Sequence, residues 1–502
     1  MNNIIKEILF NIKYVLGTFI VLFSITSCNN DLLDTKPLGV ATVGDLTTGG
    51  FEADAFGLYG QLRNSGVSNW TRYWFQSIRS DDAQKGSSAG DQAQAGADFD
   101  EFGYSNDSFL NNDNWNEHYK VINACNDLID AINVSGLTDS GTIVNMAEAR
   151  MIRGFLYFDL RRDYGEVPII DQKVIEVTDG IKPKSTVADV DAFIEADLIY
   201  ASENLPVTWV SNFDGRATKG FADALLAKLY LYQASESNSQ EKYTASLAKS
   251  EEVINSGVYT LVPSYKTLFS LEGNNSTESI FEVQQLVTES GQTFSNNYYV
   301  SQGVRGTGAW DLGWGFNVPT QTLVDAYETG DPRKNETILV SGEDDGGYGS
   351  GILPGTPPLD QLYWNKKAYT EAATRTKLSQ RQNNWENIKI IRYADVLLMA
   401  AEAAFKTGNS ALAADYLNEV RARARGGANV LPDITSVTLD VIKHERRIEL
   451  AMEGERFYDV VRWGDGPTVL GSLGFLPKHE WYPIPQAAID QSQGVLIQNP
   501  NY

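Results

Sequence analysis

The chain has 502 residues, with 41 lysines and arginines against 65 aspartates and glutamates, which gives a formal net charge of −24. No basic block is present that could neutralise a run of phosphates, so nucleic acid is not an expected partner. With 42% hydrophobic and 21% charged residues, the composition is that of a globular protein, which excludes a disordered or fibrous chain.

Cysteine and histidine are scarce. The two cysteines are Cys28 and Cys125, and the three histidines are widely separated, without a His-x-x-x-His pair. The cysteine count excludes a disulfide framework and a cysteine-based zinc site. We therefore expect no cofactor at these residues.

The first residues have the form of an export signal. Two lysines precede an apolar stretch of 12 residues, 14–25, which is too short to span about 30 Å of hydrocarbon but suits the core of a signal peptide. The stretch ends in Ile-Thr-Ser-Cys, which resembles the lipobox of bacterial lipoproteins. We predict a lipoprotein signal peptide over 1–27, lipid attachment at Cys28 and a lipidated tether over 28–50. The alternative is a secreted protein in which Cys28 is incidental.

Helical periodicity dominates the first half of the mature chain. A short helical pattern covers residues 51–62, and a longer one covers 143–163, where it stops at Gly165. Residues 65–114 lack sustained periodicity and are predicted to be loop. Long loops in compact proteins are often functional, so we expect this segment on the ligand side and call it the first variable segment.

Two helical hairpins are predicted, near 219–257 and 391–426. The letters of residues 221–226 (FADALL) align without gaps on those of residues 393–398 (YADVLL). Each unit is close to the 34-residue period of tetratricopeptide hairpins, which predicts a helical repeat. The alternative is that two amphipathic, alanine-rich helices resemble each other by chance.

Between the two hairpins, residues 261–387 are poor in helical pattern and rich in Gly, Asn, Pro, Tyr and Trp. We expect this second variable segment to cover part of the helical scaffold and to contribute the ligand-binding site. Its acidic turn at residues 343–347 could hold Ca²⁺ but lacks the spacing of an EF-hand. A solvated turn is the favoured interpretation, and structural calcium is unsupported.

Longer motifs resemble those of the SusD/RagB family in order and spacing. They are EARMIRGFLYFDL at 148–160, YGEVP at 164–168, RYADVLLM at 392–399, LNEVRARA at 417–424, ERRIEL at 445–450, EGERFYDVVRWG at 453–464 and QNPNY at 498–502. The similarity covers essentially the whole mature chain and is weakest over the two variable segments. We expect the charged signature residues to form ion pairs at three- and four-residue spacing along one helix and to be structural, with ligand contact as the alternative. They are Glu445, Arg446, Arg447, Glu449, Glu453 and Arg456.

The resemblance implies a mainly α, tetratricopeptide-like fold with minor β structure, as a single SusD-like domain over 51–502. It also implies a lipid-anchored protein of the outer membrane, at the cell surface. Such proteins capture glycans, or peptides in the RagB branch, for a SusC-type TonB-dependent barrel. The chain is thus expected to bind a glycan and not to be an enzyme. Peptide capture and a lipid-anchored glycoside hydrolase are the alternatives.

The resemblance does not carry ligand residues across by position, so candidates come from the chemistry of capture. Flat apolar faces with charges nearby suit sugar rings or peptide side chains. A core position is the favoured interpretation for any one Trp, and the Gly-flanked Trp310 and Trp314 are the best exception. The full candidate set is Trp70, Trp74, Asp81, Asp82, Tyr298, Tyr299, Arg305, Trp310 and Trp314.

Overall fold

The structure, a computed structural model, describes residues 50–288 and 291–502. The predicted signal peptide and lipidated Cys28 lie outside the described residues, as does nearly all of the predicted tether. Helix dominates and strands are few and short, so the predicted mainly α class is confirmed. Across the described residues, no helix is both long and apolar enough to cross a bilayer.

The helices of the described residues fall into a long set and a short set. The long helices are α1 (Glu52–Gln61), α5 (Phe109–Ser135), α6 (Ser140–Tyr164), α7 (Val187–Asn204), α8 (Lys219–Ser237), α9 (Gln240–Asn255), α15 (Tyr393–Lys406), α16 (Ser410–Arg425) and α17 (Leu439–Glu449). The shorter ones are α2 (Ser65–Ser68), α3 (Trp70–Tyr73), α4 (Ala93–Asp100), α10 (Tyr265–Leu268), α11 (Tyr298–Gln302), α12 (Gln321–Ala326), α13 (Pro332–Thr337), α14 (Ala372–Leu378), α18 (Arg456–Arg462), α19 (Gly466–Val469) and α20 (Gln486–Gln491).

The described strands form two-stranded antiparallel sheets. The pairs are β1 (Ala83–Gly86) with β5 (Phe316–Pro319), β2 (Ser279–Val283) with β8 (Ile388–Arg392), β3 (Leu286–Val287) with β4 (Thr293–Phe294), and β6 (Ile338–Val340) with β7 (Tyr363–Asn365). In the first pair, Ala83 lies opposite Pro319 and Gly86 opposite Phe316. This pairing ties the first variable segment to the second.

The long helices α5 to α9 pack one on the next in chain order. Helix α9 then packs on α15, which pairs with α16, although residues 256–392 lie between α9 and α15 in the chain. The two hairpins are therefore neighbours in one helical stack. Residues 256–392, here called the insertion, leave the stack between them and return to it.

Local sequence sets where the helices begin and end. Asp139 caps α6 through a side chain that accepts from the backbone N–H of Thr142, and Thr218 caps α8 in the same way. Helix α6 ends at Gly165, whose φ of +74° suits glycine, and a Cβ there would lie 2.6 Å from the indole of Trp481. The predicted end of this helix at Gly165 is thus explained by backbone geometry and by packing.

Small residues let the hairpins pack closely, and the insertion covers their ends. Ala222 of α8 and Ala394 of α15, at matching places in the two hairpins, are fully buried. The ring of Phe221 stacks on that of Phe281 in β2, with centroids 4.2 Å apart and planes 6° apart. The insertion therefore shares one apolar core with the helical stack.

The prediction of loop over residues 65–114 is wrong for most of the segment. It contains α2, α3, a π-helical turn at Trp74–Ile78, β1 and α4, and α5 begins at Phe109. Helices of four residues are too short to show a 3.6-residue period in sequence. Tertiary contacts hold them, as where Asn69 caps α3 by accepting from the N–H of Trp70 at 2.7 Å.

The charged signature residues pair with residues outside their own helix, which corrects the predicted pairing along one helix. Glu449 lies within 2.7 Å of Arg392, 3.0 Å of Arg333 and in contact with Arg423, and all four side chains are buried. Desolvation alone would raise the pKa of Glu449, but the charges of these arginines outweigh it and lower the pKa to about 2.

This buried network joins separate parts of the chain. Arg333 and Lys367 come from the insertion, and they bind Glu445 at 2.5 Å and Glu453 at 2.6 Å. An unpaired buried charge lowers the free energy of unfolding, so removal of either partner should destabilise the protein. The charged signature residues thus hold the insertion against the helical stack.

Candidate functional site

Three aromatic rings from distant parts of the chain meet at the surface. The indole of Trp70 lies 5.7 Å from the ring of Phe109, in a stacked arrangement, and 6.3 Å from the indole of Trp314, edge to face. Phe109 is 51% exposed, Trp314 is 36% exposed and Trp70 is half-buried. We call Trp70, Phe109 and Trp314 the aromatic platform.

Trp70 is placed by a shared hydrogen-bond acceptor. The side-chain oxygen of Asn69 accepts from the backbone N–H of Trp70 at 2.7 Å and from that of Asn297 at 2.9 Å. The Asn296 amide donates to the carbonyl of Ser68 at 3.0 Å. The start of α3 is therefore attached to the insertion just before α11.

Trp314 is placed by a tight backbone turn. Its N–H donates to the carbonyl of Val300 at 3.1 Å, and the next N–H, of Gly315, donates to the carbonyl of Gly303 at 3.0 Å. The hydroxyl of Ser87 donates to the carbonyl of Trp314 at 2.8 Å. The turn is thus held from both variable segments, and the indole stays partly exposed.

Polar groups border the platform on the Trp314 side. Arg305 is 41% exposed in its side chain, pairs with Asp91, and donates to the hydroxyls of Ser87 at 2.6 Å and Ser88 at 3.3 Å. Such a surface can stack a flat apolar ligand face on its rings. The adjacent charged and hydroxyl groups can hydrogen-bond the polar edge of the same ligand.

Trp310 does not pair with Trp314. Its half-buried ring lies parallel to Tyr369, with centroids 6.4 Å apart, and packs against a separate apolar cluster of the insertion. The predicted pair of Gly-flanked tryptophans is therefore split. The partner of Trp314 is Trp70, from the other variable segment.

Three candidate aromatics lie in the core. Trp74 is 0% exposed and packs on Phe99 and Phe316, with centroids 5.6 Å apart in each case. Tyr298 and Tyr299 are buried in α11, with centroids 5.0 Å apart. Their rings present no open face, so we correct the hypothesis that they contact ligand.

Asp81 and Asp82 are ion-paired within the protein, which also corrects their assignment to the ligand site. Arg456 donates to Asp81 at 2.8 Å, and Arg447 donates to Asp82 at 2.7 Å. Burial opposes ionisation of Asp81, but hydrogen bonding and charge from Arg456 lower its pKa. Burial raises the pKa of Asp82 despite Arg447. These carboxylates anchor β1 to the signature region.

Phe109 is the platform residue that the sequence prediction missed. It is the first residue of α5, where Leu110 is buried and Phe109 is exposed. An aromatic residue outside the buried stripe of an amphipathic helix is the signal that could have found it.

The acidic turn at residues 343–347 is more ordered than the predicted solvated turn. Asp345 is buried and accepts from the N–H groups of Tyr348 at 2.9 Å and Ser350 at 2.6 Å. Burial opposes ionisation, but these donors and the hydroxyl of Tyr369 lower the pKa of Asp345. Among the described residues, no group of three or more His, Cys, Asp or Glu side chains is placed to hold a metal.

Two family models match the chain. The SusD family model matches residues 277–473, and a model described as "Starch-binding associating with outer membrane" matches residues 65–231. The second match begins in the first variable segment and includes Trp70, and the first includes Trp314. The two matches thus contain the two tryptophans that meet at the platform.

Individual proteins are similar over longer stretches. A SusD-like protein of Bacteroides ovatus is 29% identical over 381 residues, which cover 70% of this chain and 65% of the relative, less than two thirds of its length. A SusD-like protein of Formosa agariphila is 28% identical and covers 98% of this chain and all of the relative. A solved structure named as a laminarin binding SusD-like protein is 29% identical, with a TM-score of 0.74, over 90% of this chain and 98% of that one.

Proposed function

Because the chain belongs to the SusD/RagB family, we propose that it is a cell-surface lipoprotein that captures a glycan. We propose further that it delivers this glycan to a SusC-type TonB-dependent transporter of the outer membrane. The lipid on Cys28 would hold it there.

The aromatic platform is the observation that carries the proposal. Sugar rings have flat C–H faces that pack on aromatic side chains, and their hydroxyl edges need hydrogen-bond partners. Trp70, Phe109 and Trp314 offer the faces, and Arg305 with its neighbours offers polar groups. The named ligand of one similar structure is laminarin, and one family model is named for starch. Both are neutral glucans, which makes a glucan the first ligand to test.

The experiment is a glycan and peptide array probed with the chain that begins at Asp31, followed by calorimetry on the glycans it retains. We expect binding to a polysaccharide and its oligosaccharides, and no release of reducing ends on incubation. Binding to peptides alone would favour the RagB-like alternative. Release of reducing ends from laminarin or starch would make the protein a glycoside hydrolase and overturn the proposal.

Delivery requires a partner, because a lipid-anchored binding protein has no import route of its own. A permanent complex of this kind is expected to bury more than about 2,000 Å². Extraction of native outer membranes in mild detergent should therefore co-purify a large TonB-dependent barrel. Recovery of the monomer alone would contradict the delivery step and leave glycan capture to be judged by the array.

A further inference from the structure

A second concave surface lies further along the helix that begins with Phe109. It is a pocket of about 390 Å³, bounded by α5, by residues 168–182 and by residues 488–496, which include the end of α20. We call it the α5 pocket. Its volume is within the range of about 300–1,000 Å³ that is typical of small-ligand sites.

The walls of the α5 pocket are held in place by the protein itself. Trp115 and Tyr119 line it with ring centroids 4.9 Å apart. The Tyr119 hydroxyl donates to the carbonyl of Pro168 at 2.8 Å, and Trp115 packs edge-on against Tyr164. Residues of this kind need no rearrangement to receive a ligand, so little affinity is lost to ordering.

Its polar groups suit a neutral ligand. Asn116, Asn123 and Gln491 line the pocket, and none of their side chains is hydrogen-bonded to another of the described residues. The charged lining residue Lys182 is paired with Asp171 at 3.1 Å. Free amides donate to and accept from hydroxyl groups, whereas a paired charge gives no preference for an ionic ligand.

Helix α5 connects the pocket to the aromatic platform. Phe109, Asn116 and Asn123 are spaced by seven residues, so they lie close to one face of the helix, about 10 Å apart at each step. Helix α20 is attached near the platform end of α5, where the N–H of Gln486 donates to the carbonyl of Asn106 at 3.0 Å. An extended ligand can therefore follow α5 from the platform to the pocket.

We propose that the α5 pocket is a second carbohydrate subsite, which takes a neutral sugar residue of the same chain that stacks on the platform. The aromatic and aliphatic walls face the C–H groups of the sugar, and the free amides bind its hydroxyls. The inference rests on the proposed function. It adds that the affinity of this protein depends on the length of the oligosaccharide.

The test is calorimetry with laminari- and malto-oligosaccharides, from the disaccharide to the octasaccharide. Ala488→Trp narrows the pocket, and Asn123→Leu removes an amide that makes no hydrogen bond within the described chain. Gln491→Ala changes an exposed side chain, so this variant should fold and can test the subsite if the other variants fold poorly. Asn133→Leu is the matched control, since Asn133 is exposed on the same helix outside the pocket.

We expect the pocket variants to bind the octasaccharide about tenfold more weakly, as for loss of one good contact, and to bind the disaccharide like the wild type. The control should match the wild type at every length. Equal octasaccharide affinity in wild type and pocket variants would overturn the subsite. If Trp314→Ala then still weakens binding, the proposed function stands alone.

Two further outcomes are informative. A wild type that binds neither series overturns the subsite together with glucan capture. Pocket variants that keep full octasaccharide affinity but no longer co-purify with a barrel would assign the pocket to a protein contact and overturn the subsite.

Discussion

A Cβ atom on Gly313 would lie 2.2 Å from the carbonyl oxygen of Val300, so the turn before Trp314 packs on α11 more closely than any other residue allows. The same carbonyl accepts the N–H of Trp314 at 3.1 Å. The close contact between Gly313 and Val300 fixes the position of the Trp314 indole beside Trp70. The position of the Trp314 indole thus depends on a glycine that is not part of the platform.

Gly313→Ala should weaken glycan binding, because the added methyl must push the turn away from Val300 and move Trp314 with it. We expect an affinity loss of about tenfold or more, with a stability cost of about 1–3 kcal/mol for overpacking. Calorimetry and thermal melting measure the two. Gly57→Ala is the control, since a Cβ there meets nothing within 4 Å. Wild-type affinity in Gly313→Ala would show that the turn does not place the indole.

Trp314→Ala and Trp70→Ala should each weaken glycan affinity by about 30-fold, the equivalent of about 2 kcal/mol for a binding hot spot. Their melting temperatures should change little, because both rings are partly open to solvent. Trp74→Ala is the matched contrast: it empties a core site and should cost about 3–5 kcal/mol of folding free energy. A Trp314→Ala variant that is destabilised yet binds normally would remove this residue from the site.

Glu449→Gln should destabilise the protein by about 3–5 kcal/mol, because it leaves buried arginines without their carboxylate. Denaturant titration measures the change, and glycan affinity of the folded fraction should stay normal. Asp433→Asn removes half of an exposed pair with Arg425 and should cost less than about 1 kcal/mol. Similar losses in the two variants would contradict a structural role for the buried network.

Glu386 should make the protein less stable as the pH rises from about 5 to 8. Burial, reinforced by Glu272 and Glu282, raises the pKa of Glu386 to about 8, although Asn383 and Lys389 lower it. The folded state therefore keeps a proton that the unfolded state has lost above its own pKa near 4.5, so unfolding releases it. The stabilisation is full at low pH and is lost as the pH rises through 8.

Denaturant titrations of the wild type and of Glu386→Gln at several pH values measure this loss, as a difference on the order of a few kcal/mol between the two. Glu386→Gln, which does not titrate at this position, should remove the part of the slope that Glu386 contributes. Asp100, whose pKa is raised to about 7 by burial, adds a smaller slope of the same sign. An unchanged slope in Glu386→Gln would refute the assignment.

Cys28→Ala should leave a folded protein that no longer sediments with membranes, because the lipid is predicted at that thiol. Fractionation followed by immunoblotting measures this in cells that lack the partner barrel. Cys125→Ala is the control, since Cys125 is buried in α5, where burial raises the pKa of its thiol. Membrane association of Cys28→Ala in those cells would contradict lipid anchoring.

The helical scaffold was largely predictable. The stripe of α6 and its end at Gly165 follow from periodicity and from backbone geometry, both of which are local. The similar letters of α8 and α15 predicted paired helices, and the two helices do lie in adjacent hairpins. That these hairpins are neighbours across the insertion could not be predicted from spacing alone.

The candidate site was predictable only in part. Trp70 and Trp74 occur four residues apart, in a stretch that showed no period, and the chain alone does not say which is buried. The π-helical turn sends Trp74 into the core, while Trp70 stays at the start of α3 beside Phe109. Asp81 and Asp82 were candidates because they lie near the candidate aromatic residues in sequence. Their arginine partners, Arg447 and Arg456, lie far along the chain, so the ion pairs could not be foreseen.

The sequence by itself determined the helical class and the family resemblance, because each depends on contiguous residues with a local period or motif. The tertiary structure alone decided which aromatic rings face solvent and which charges are buried. Those properties depend on what packs against a side chain. Here the packing partners come from the other variable segment or from the signature helices. They are so far away along the chain that no local sequence pattern identifies them.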